Sequence, residues 1–380
     1  MLAWLFLLMT AAGCQSSSSP AVSSEDQSDA YSGEGEVEQA ESAELTGESE
    51  SDVITQEEAD IKFRIDMPEI EQFLGISEEG PVIPGLKQGA IPQGLAYMPE
   101  NDWLLISYYR EDGKPSLLAA VDKKSGEFVK AVELFEENGA PYTGHAGGVA
   151  VSRSHIWISS GGSVYWMNSE RLIEAENGGQ LTFQGAVLTD TRASFVSYAD
   201  GILWVGEYAQ GVDYPTGEHH YRLNREGQEH RAWAAGYKLD METDHLPVRE
   251  GNDSLLPAVP DYILSIPDRV QGVAIANGEA WLSQSYGRNN SSELTGYSVD
   301  IQQGEPHEMA SIEGKDVPLW FLDGMNQLKQ HIIPPMSEGI VNVEGTLYIL
   351  VESAAQKFVT SSAYPIDRLI IWNSERDVVE

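Results

Sequence analysis

Short apolar runs alternate with polar turns along most of this chain, and one arrangement of them recurs five times. In each copy, a second run begins with an aromatic residue nine positions after the residue that opens the first run. The opening residues are Gly94, Gly148, Phe195, Gly272 and Gly339, and the aromatic residues are Trp103, Trp157, Trp204, Trp281 and Tyr348. Short runs bounded by Gly and small polar residues are typical of β-strands. A repeat of this period predicts a modular all-β array, and a β-propeller is the architecture it favours.

The five copies divide the chain into blades. In the first copy, strands are predicted at residues 94–98, 103–108, 117–122 and 128–134. Later strands of the other copies are predicted at residues 164–167, 181–183, 230–234, 262–264, 294–297, 328–331, 347–351 and 368–372. The fifth copy lacks one strand, and residues 82–88 hold the place of an outer strand before the first copy. The prediction is therefore an all-β, five-bladed propeller closed by an N-terminal strand, with six blades as the alternative if a long interval hides another blade.

The N-terminus predicts export. Residues 1–14 contain a short apolar run that ends in Ala11, Ala12 and Gly13 before Cys14, which is the only cysteine. This segment resembles the signal peptide and lipobox of a bacterial lipoprotein, which implies lipidation of Cys14; an ordinary cleaved signal peptide is the alternative. Residues 15–60 are rich in Ser, Glu and Asp, contain no Lys or Arg, and predict a disordered linker. The propeller domain is expected at residues 61–380, with ordered structure starting near Ile61.

The composition and net charge restrict the classes of partner that the chain is expected to bind. The 380 residues carry a net charge of −37, and such a chain is repelled by nucleic acid and by anionic membrane surfaces. We therefore expect no nucleic-acid partner, contact with a membrane only through the lipid anchor, and a monomer. With a single cysteine, the chain has no internal disulfide, so its stability must come from packing.

The opening motifs resemble those of a broad group of bacterial secreted propellers. The motifs are Pro92-Gln93-Gly94-Leu95, Gln271-Gly272-Val273 and Glu338-Gly339-Ile340, each followed by the aromatic-led strand. The group includes YncE-like proteins, the streptogramin lyase type, the gluconolactonase type and glutamine cyclotransferase-like five-bladed proteins. The resemblance implies the fold better than the activity. Gln93 stands where the gluconolactonase type implies a metal-binding Glu, and the Glu-x-His motif of the lyase type does not occur.

The start of each inner strand predicts where a site lies. In propellers these residues form one rim of the central channel, and loops leaving neighbouring strands converge there. The ligand-binding residues expected at the rim are Gln93, His145, Arg192, Ser194, Glu207, Arg269, Gln271 and Glu338. Arg192, Arg269 and His145 favour a small anionic ligand. Inter-blade ion pairs of the two arginines with Asp190 and Asp268 are the structural alternative.

Two functions remain open from the sequence. The first is a surface-tethered, extracytoplasmic propeller, lipid-anchored to the cell membrane, that binds a small molecule, a glycan or a partner protein at the channel rim. The second is a hydrolase, lyase or transferase that uses His145, Glu207 and Glu338, with Glu352 nearby, around a divalent metal such as Ca²⁺ or Mg²⁺. Adjacent His219 and His220 are expected to point to opposite faces, so the sequence favours an exposed loop there over a metal site.

Overall fold

A computed structural model describes residues 53–246 and 256–373 of the chain, and these residues form a five-bladed β-propeller. The inner strands of the five blades are Ala90–Met98, Gly148–Val151, Phe195–Ala199, Val270–Ala276 and Ser337–Val343. Each inner strand contacts the next around the ring, and the last contacts the first, so the ring is closed. The prediction of five blades is confirmed, and the six-bladed alternative is wrong. The predicted signal peptide at residues 1–14, with Cys14, and residues 15–52 of the predicted linker 15–60 lie outside the described residues.

Each blade is an antiparallel sheet whose four strands run from the axis outward. After its inner strand, blade 1 contains Trp103–Arg110, Leu117–Asp122 and Phe128–Phe135. Blade 2 continues with His155–Ser160, Ser163–Asn168 and Gly185–Leu188, and blade 3 with Ile202–Gly206, Ala232–Lys238 and Tyr262–Ile266. Blade 4 continues with Glu279–Gln284, Ser292–Ser298 and Gln327–Ile333, and blade 5 with Thr346–Val351, Arg368–Asn373 and Glu78–Val82.

Two insertions reach the outer edge of a neighbouring blade. Gln180–Thr182 precedes the outer strand of blade 2 but pairs in parallel with Phe128–Phe135 of blade 1. The outer strand of blade 2, predicted at residues 181–183, is therefore Gly185–Leu188 instead. In blade 4, the hairpin Glu308–Ile312 and Lys315–Phe321 leaves its own sheet and pairs in parallel with the outer strand of blade 3. These exchanges join neighbouring blades through backbone hydrogen bonds.

The remaining elements are short. A two-stranded ribbon is formed by Arg222–Leu223 and Glu229–His230, and a 3₁₀ turn spans Glu218–His220. Within residues 53–246 and 256–373, the α-helices are Pro68–Gly75 and Ser169–Glu174, and the sequence pattern predicted neither of them. In the first helix, Ile70 and Phe73 are buried, and the Phe73 ring packs on His331 of blade 4 and Trp372 of blade 5.

Four of the five opening residues are glycines because backbones of neighbouring blades touch at the axis. A Cβ atom on Gly94 would lie 2.4 Å from the backbone nitrogen of Val149, and one on Gly148 would lie 2.6 Å from that of Val196. A Cβ atom on Gly339 would lie 2.6 Å from the backbone nitrogen of Leu95. Such distances leave no room for a side chain, so these glycines set how closely the blades approach. We call them, together with Gly272, the axial glycines.

Blade 3 solves the same packing problem differently. Its opening residue is Phe195, whose buried ring occupies the space beside Gly206 on the second strand. A Cβ atom on Gly206 would overlap that ring. In blade 3, the glycine is therefore on the second strand, opposite Phe195, and not at the opening position. The aromatic residues of the second strands are also matched by glycines: Trp204 lies across from Gly236, and Trp281 lies across from Gly296. These rings fill the sheet faces between blades.

As predicted, an N-terminal strand closes the propeller, but this strand lies earlier in the chain than the predicted residues 82–88. Glu78–Val82 pairs antiparallel with Arg368–Asn373, and Val82 is the only member of the predicted segment 82–88 in that strand. Residues 84–89 form turns; Leu86 within them and Ile83 just before them are buried. Pro84 has no N–H to donate to a ladder, which is one reason the strand ends before it.

Ordered contacts also begin earlier than the expected start near Ile61. Ile54 is buried, and the Gln56 side-chain amide donates to the backbone oxygens of Val82 and Gly126 and accepts from the N–H of Phe128. Residues 61–65, expected to begin a strand, are irregular, and the Ile65 N–H donates to the Ala363 oxygen. The segment before the first helix therefore packs along blades 1 and 5. Among the described residues, no helix is both long and apolar enough to cross a bilayer.

Candidate functional site

Five polar residues from four blades meet where the inner strands begin, and we call them the axial site: Gln93, His145, Gln271, Glu338 and Glu352. The Gln93 amide nitrogen donates to Glu352 over 2.9 Å, and its amide oxygen lies 2.9 Å from Nε2 of His145. The Gln271 amide donates to Glu338 over 3.3 Å. Gln93, His145, Gln271 and Glu338 belong to the rim set expected from the sequence, and Glu352, which follows the second strand of blade 5, joins them.

The two acids of the axial site share one environment. Burial and the neighbouring Glu352 raise the pKa of Glu338 well above its ordinary range. Burial also raises the pKa of Glu352 to about 8, although the Gln93 amide and the charges of Lys357 and Arg288 act in the opposite direction. In the described part of the chain, the direct hydrogen-bond partners of both carboxyl groups are glutamine amides, and neither forms an ion pair. Glu352 is therefore mostly protonated at neutral pH, and ionisation of Glu338 is disfavoured.

The axial site is accessible to solvent at His145. Its side chain keeps accessible surface, yet surrounding protein atoms desolvate the ring, and this burial lowers the pKa of His145 to about 4, with Lys357 adding to the effect. The imidazole stacks on Tyr109 with ring centroids 4.2 Å apart. The charge of Lys357 lies 5.9 Å from the centre of the same Tyr109 ring, and its ammonium group pairs with Glu111. His145 is therefore a neutral polar group at neutral pH.

Tyrosines and Arg269 border the axial site on the side of blades 3 and 4. Ser194 accepts a hydrogen bond from the backbone N–H of Tyr208, and the Tyr208 hydroxyl lies 3.4 Å from the Ser285 oxygen. The Arg269 guanidinium is exposed and lies 4.6 Å from the centre of the Tyr286 ring. Arg269 has a φ of +67°, a strained conformation for a residue with a side chain.

Arg192 and Glu207 lie in a separate pocket within blade 3, not in the axial site. This blade-3 pocket is an open cavity of about 230 Å³ lined by Thr189–Arg192, Glu207, Pro215–Gly217, His219 and His220. The Arg192 guanidinium donates to the Pro215 oxygen over 3.0 Å and lies 5.9 Å from the centre of the Tyr214 ring. Among the described residues, His145, Glu207 and Glu338 therefore do not form one cluster of possible metal ligands.

The acids of the blade-3 pocket are paired with histidines. Nδ1 of the buried His220 lies 2.5 Å from Glu207, and Nε2 of His219 lies 2.9 Å from Asp190. Burial opposes the charged form of His220, but Asp190 and Glu207 outweigh it and raise its pKa to about 9. Burial likewise disfavours the Asp190 carboxylate, but His220 and His219 prevail and lower its pKa to about 2. The pocket is therefore a charged network, unlike the axial site.

The inter-blade ion pairs considered for Arg192 and Arg269 do not form. Asp190 bonds with His219, and Asp268 pairs with Arg231. His219 and His220 lie in a loop, as expected, but the 3₁₀ turn at Glu218–His220 does not send them to opposite faces. In that turn both imidazoles reach Asp190. The only sequence signal was two adjacent histidines in an insertion of blade 3.

No protein-family model and no curated protein matches this sequence. Solved propellers resemble it at low identity. Glutaminyl cyclase from Myxococcus xanthus is 11% identical with a TM-score of 0.36, over 78% of this chain and 94% of that one. A gluconolactonase from Xanthomonas campestris is 11% identical with a TM-score of 0.34, over 78% and 94%. BamB from Moraxella catarrhalis is 10% identical with a TM-score of 0.31, over 84% and 100%. At such values, the similarities assign no activity.

Proposed function

We propose that this protein is a lipid-anchored, extracytoplasmic propeller that binds a small polar ligand at the axial site. The observation that carries the proposal is the pair of acids, Glu338 and Glu352, held by glutamine amides beside the accessible His145. Two desolvated carboxyl groups without a basic partner are complementary to a ligand that brings positive charge or several hydrogen-bond donors.

The charge distribution favours a cationic or hydroxyl-rich ligand over the anionic one expected from the sequence. His145 is neutral, and Arg192 belongs to the blade-3 pocket, so the expected basic ring loses two of its members at the axis. Tyr109 and Tyr286 supply aromatic faces next to the polar groups, as sugar and amine sites commonly require. An amino sugar combines both ligand features.

Three sugars of similar size test the ligand class. We expect glucosamine to raise the melting temperature of the full chain most, glucose less, and glucuronate least, because they differ chiefly in charge. Glu338→Gln and Glu352→Gln should weaken the response to glucosamine, whereas the exposed Glu305→Gln should leave it unchanged. A response that is strongest for glucuronate, or that survives both axial substitutions, would contradict the proposal.

A second candidate is acid–base catalysis at the same site, as in a hydrolase or lyase. It is favoured by Glu352, whose pKa of about 8 suits proton transfer near neutrality, and by the hydrogen-bonded path from Glu352 through Gln93 to His145. If a substrate is found, turnover should follow the titration of Glu352 and be lost in Glu352→Gln. Binding without turnover, with Glu352→Gln affecting affinity alone, would favour the binding protein.

The lipid anchor is tested at Cys14. In cells supplied with a labelled fatty acid, we expect the wild-type chain to carry the label and to fractionate with membranes. Cys14→Ser should lose the label, because the chain has no other cysteine. A Cys14→Ser chain that is still exported and processed, beside an unlabelled wild-type chain, would favour an ordinary signal peptide.

A further inference from the structure

Asp190, His219 and His220 bring together the donor atoms of a metal site on one wall of the blade-3 pocket. One ligand atom from each residue lies within 4.8 Å of the other two. Nε2 of His219 is 2.9 Å and Nε2 of His220 is 3.7 Å from the Asp190 carboxylate. We propose that these three side chains bind a divalent transition-metal ion in the blade-3 pocket.

His220 supports the proposal most strongly. It is only 2% exposed, and its Nε2 atom has no hydrogen-bond partner, since 3.7 Å from Asp190 is beyond hydrogen-bond reach. A buried polar atom is normally satisfied, so one that faces a cluster of donor atoms needs an explanation. An ion between His220, His219 and Asp190 would satisfy it.

Glu207 holds His220 in the orientation that a ligand histidine needs. Its carboxylate lies 2.5 Å from Nδ1 of His220 and also accepts the backbone N–H groups of Trp233 and Arg192. The imidazole stacks on the Trp233 ring at 4.0 Å. Metal-ligating histidines commonly give their second ring nitrogen to a carboxylate, which fixes the ring and strengthens the ligand. Glu207 is therefore a positioning residue, and Nε2 is the atom left for the ion, which takes the place of the proton on that nitrogen.

Gly217 keeps the space beside both imidazoles open. A Cβ atom at this position would lie 2.6 Å from Cε1 of His219 and 3.5 Å from Nε2 of His220. The Gly217 backbone has an ordinary φ of −62°, so it is the space, rather than the conformation, that requires glycine here. The loop is held in place by the bond from Arg192 to the Pro215 oxygen and by the Thr216 hydroxyl, which donates to the Arg231 oxygen.

The donor set selects the kind of metal. Two imidazoles and one carboxylate suit Zn²⁺ or a neighbouring first-row ion, whereas Ca²⁺ and Mg²⁺ prefer oxygen ligands throughout. Three protein ligands leave coordination positions unfilled, and the cavity of about 230 Å³ lies in front of them. The ion would therefore be open to an exchangeable ligand, rather than enclosed as in a structural site.

Calorimetric titration of the metal-free full chain with Zn²⁺ tests the proposal, with Co²⁺ absorption as a second readout of the nitrogen ligands. We expect one ion per chain. Loss of the exposed ligand in His219→Ala should weaken binding more than the ten- to hundredfold expected of the outer-shell change Glu207→Gln. Gly217→Ala should also weaken binding by displacing His219.

His245→Ala is the matched control. His245 stacks near His155 beside Asp244, a second group of two histidines and one aspartate, but its donor atoms are not arranged to hold one ion. This variant should bind Zn²⁺ as the wild type does. Absence of stoichiometric binding, or equal losses in His219→Ala and His245→Ala, would overturn the proposal and leave the blade-3 pocket as an ion-pair network. Because His219 has 57% of its side chain exposed, its removal should not prevent folding.

Discussion

The axial site and the blade-3 pocket belong to one propeller, but different parts of the chain build them. Equivalent positions of several blades form the axial site, next to axial glycines that leave no space between backbones. A single insertion between the second and third strands of blade 3 supplies the histidines of the pocket. Burial raises the pKa of both axial acids, whereas the histidines of the pocket lower the pKa of Asp190. Close backbone packing therefore restricts which substitutions the axial site tolerates. In the pocket, charge and loop conformation set that restriction.

Replacing glycine by alanine in both regions should give the largest contrast. Gly94→Ala should cost more than about 4 kcal/mol of the free energy of unfolding, or prevent folding, because its Cβ meets the backbone of the next blade. Gly217→Ala should cost less than about 1 kcal/mol, since the exposed His219 can move away. Urea denaturation measures both, and Gly75→Ala, where nothing lies within 4 Å, is the control. Similar losses at Gly94 and Gly217 would remove the distinction.

Neutralising one buried acid in each region should have opposite effects. Glu207→Gln should destabilise the protein by about 3 kcal/mol at pH 8, because it leaves charged His220 without its closest partner. Glu338→Gln should be neutral or stabilising at pH 8, because it removes a carboxyl group whose ionisation is disfavoured. The free energies of unfolding of the two variants, measured against the wild type, decide this. A loss of stability in both would show that the axial acid is also needed in its charged form.

The pH dependence of stability should carry the signature of the axial site. Between about pH 6.5 and 8, folded Glu352 holds a proton that the unfolded chain has lost, because its pKa is raised from 4.5 to about 8. Glu352 should therefore make the free energy of unfolding fall as pH rises, by up to about 1.4 kcal/mol per pH unit, and His220, whose pKa is raised to about 9, adds a fall of the same sign in wild type and variant alike. Below pH 6.5, His145 acts in the opposite direction, since its pKa is lowered from 6.5 to about 4. Denaturation series for the wild type and Glu352→Gln should differ in slope above pH 6.5; equal slopes would refute the assignment.

Lys357→Met should have the smallest effect. Lys357 lowers the pKa of both Glu352 and His145, so its removal should raise both values by a fraction of a unit while leaving the histidines of the blade-3 pocket unchanged. Titration followed by NMR of the histidine ring protons measures this. The exposed Lys124→Met serves as the control. Equal shifts at His145 and His220 would mean that Lys357 acts through the net charge of the protein rather than through its position.

The repeat carries most of what could be predicted from the sequence. The offset between Gly94 and Trp103, repeated five times, predicted the inner and second strands, because both lie in the core and keep their apolar pattern. It also predicted that Gln93, Gln271 and Glu338 would meet, since repeats place equivalent residues around one axis. The second strands are likewise buried around Trp157 and Trp204.

Elements outside the repeat were harder to predict, for physical reasons. The closing strand Glu78–Val82 carries two exposed glutamates and joins the outer edge of a sheet, where burial imposes little pattern. The apolar pattern favours residues 82–88 instead, although Leu86 is buried within a turn and Ile83 just before it. His219 and His220 lie next to Asp190 because a 3₁₀ turn within a long insertion places them there. No periodicity in the sequence predicts such a turn.

The exchange of edge strands between blades has a consequence for how the protein is made. The outer strand of blade 3, Tyr262–Ile266, pairs in parallel with Lys315–Phe321, which belongs to the following repeat. During synthesis on the ribosome, the outer strand of blade 3 therefore lacks this partner until most of blade 4 has emerged. Chaperone demand and premature association should concentrate in that interval, and a ribosome stalled within it would display the most vulnerable nascent chain.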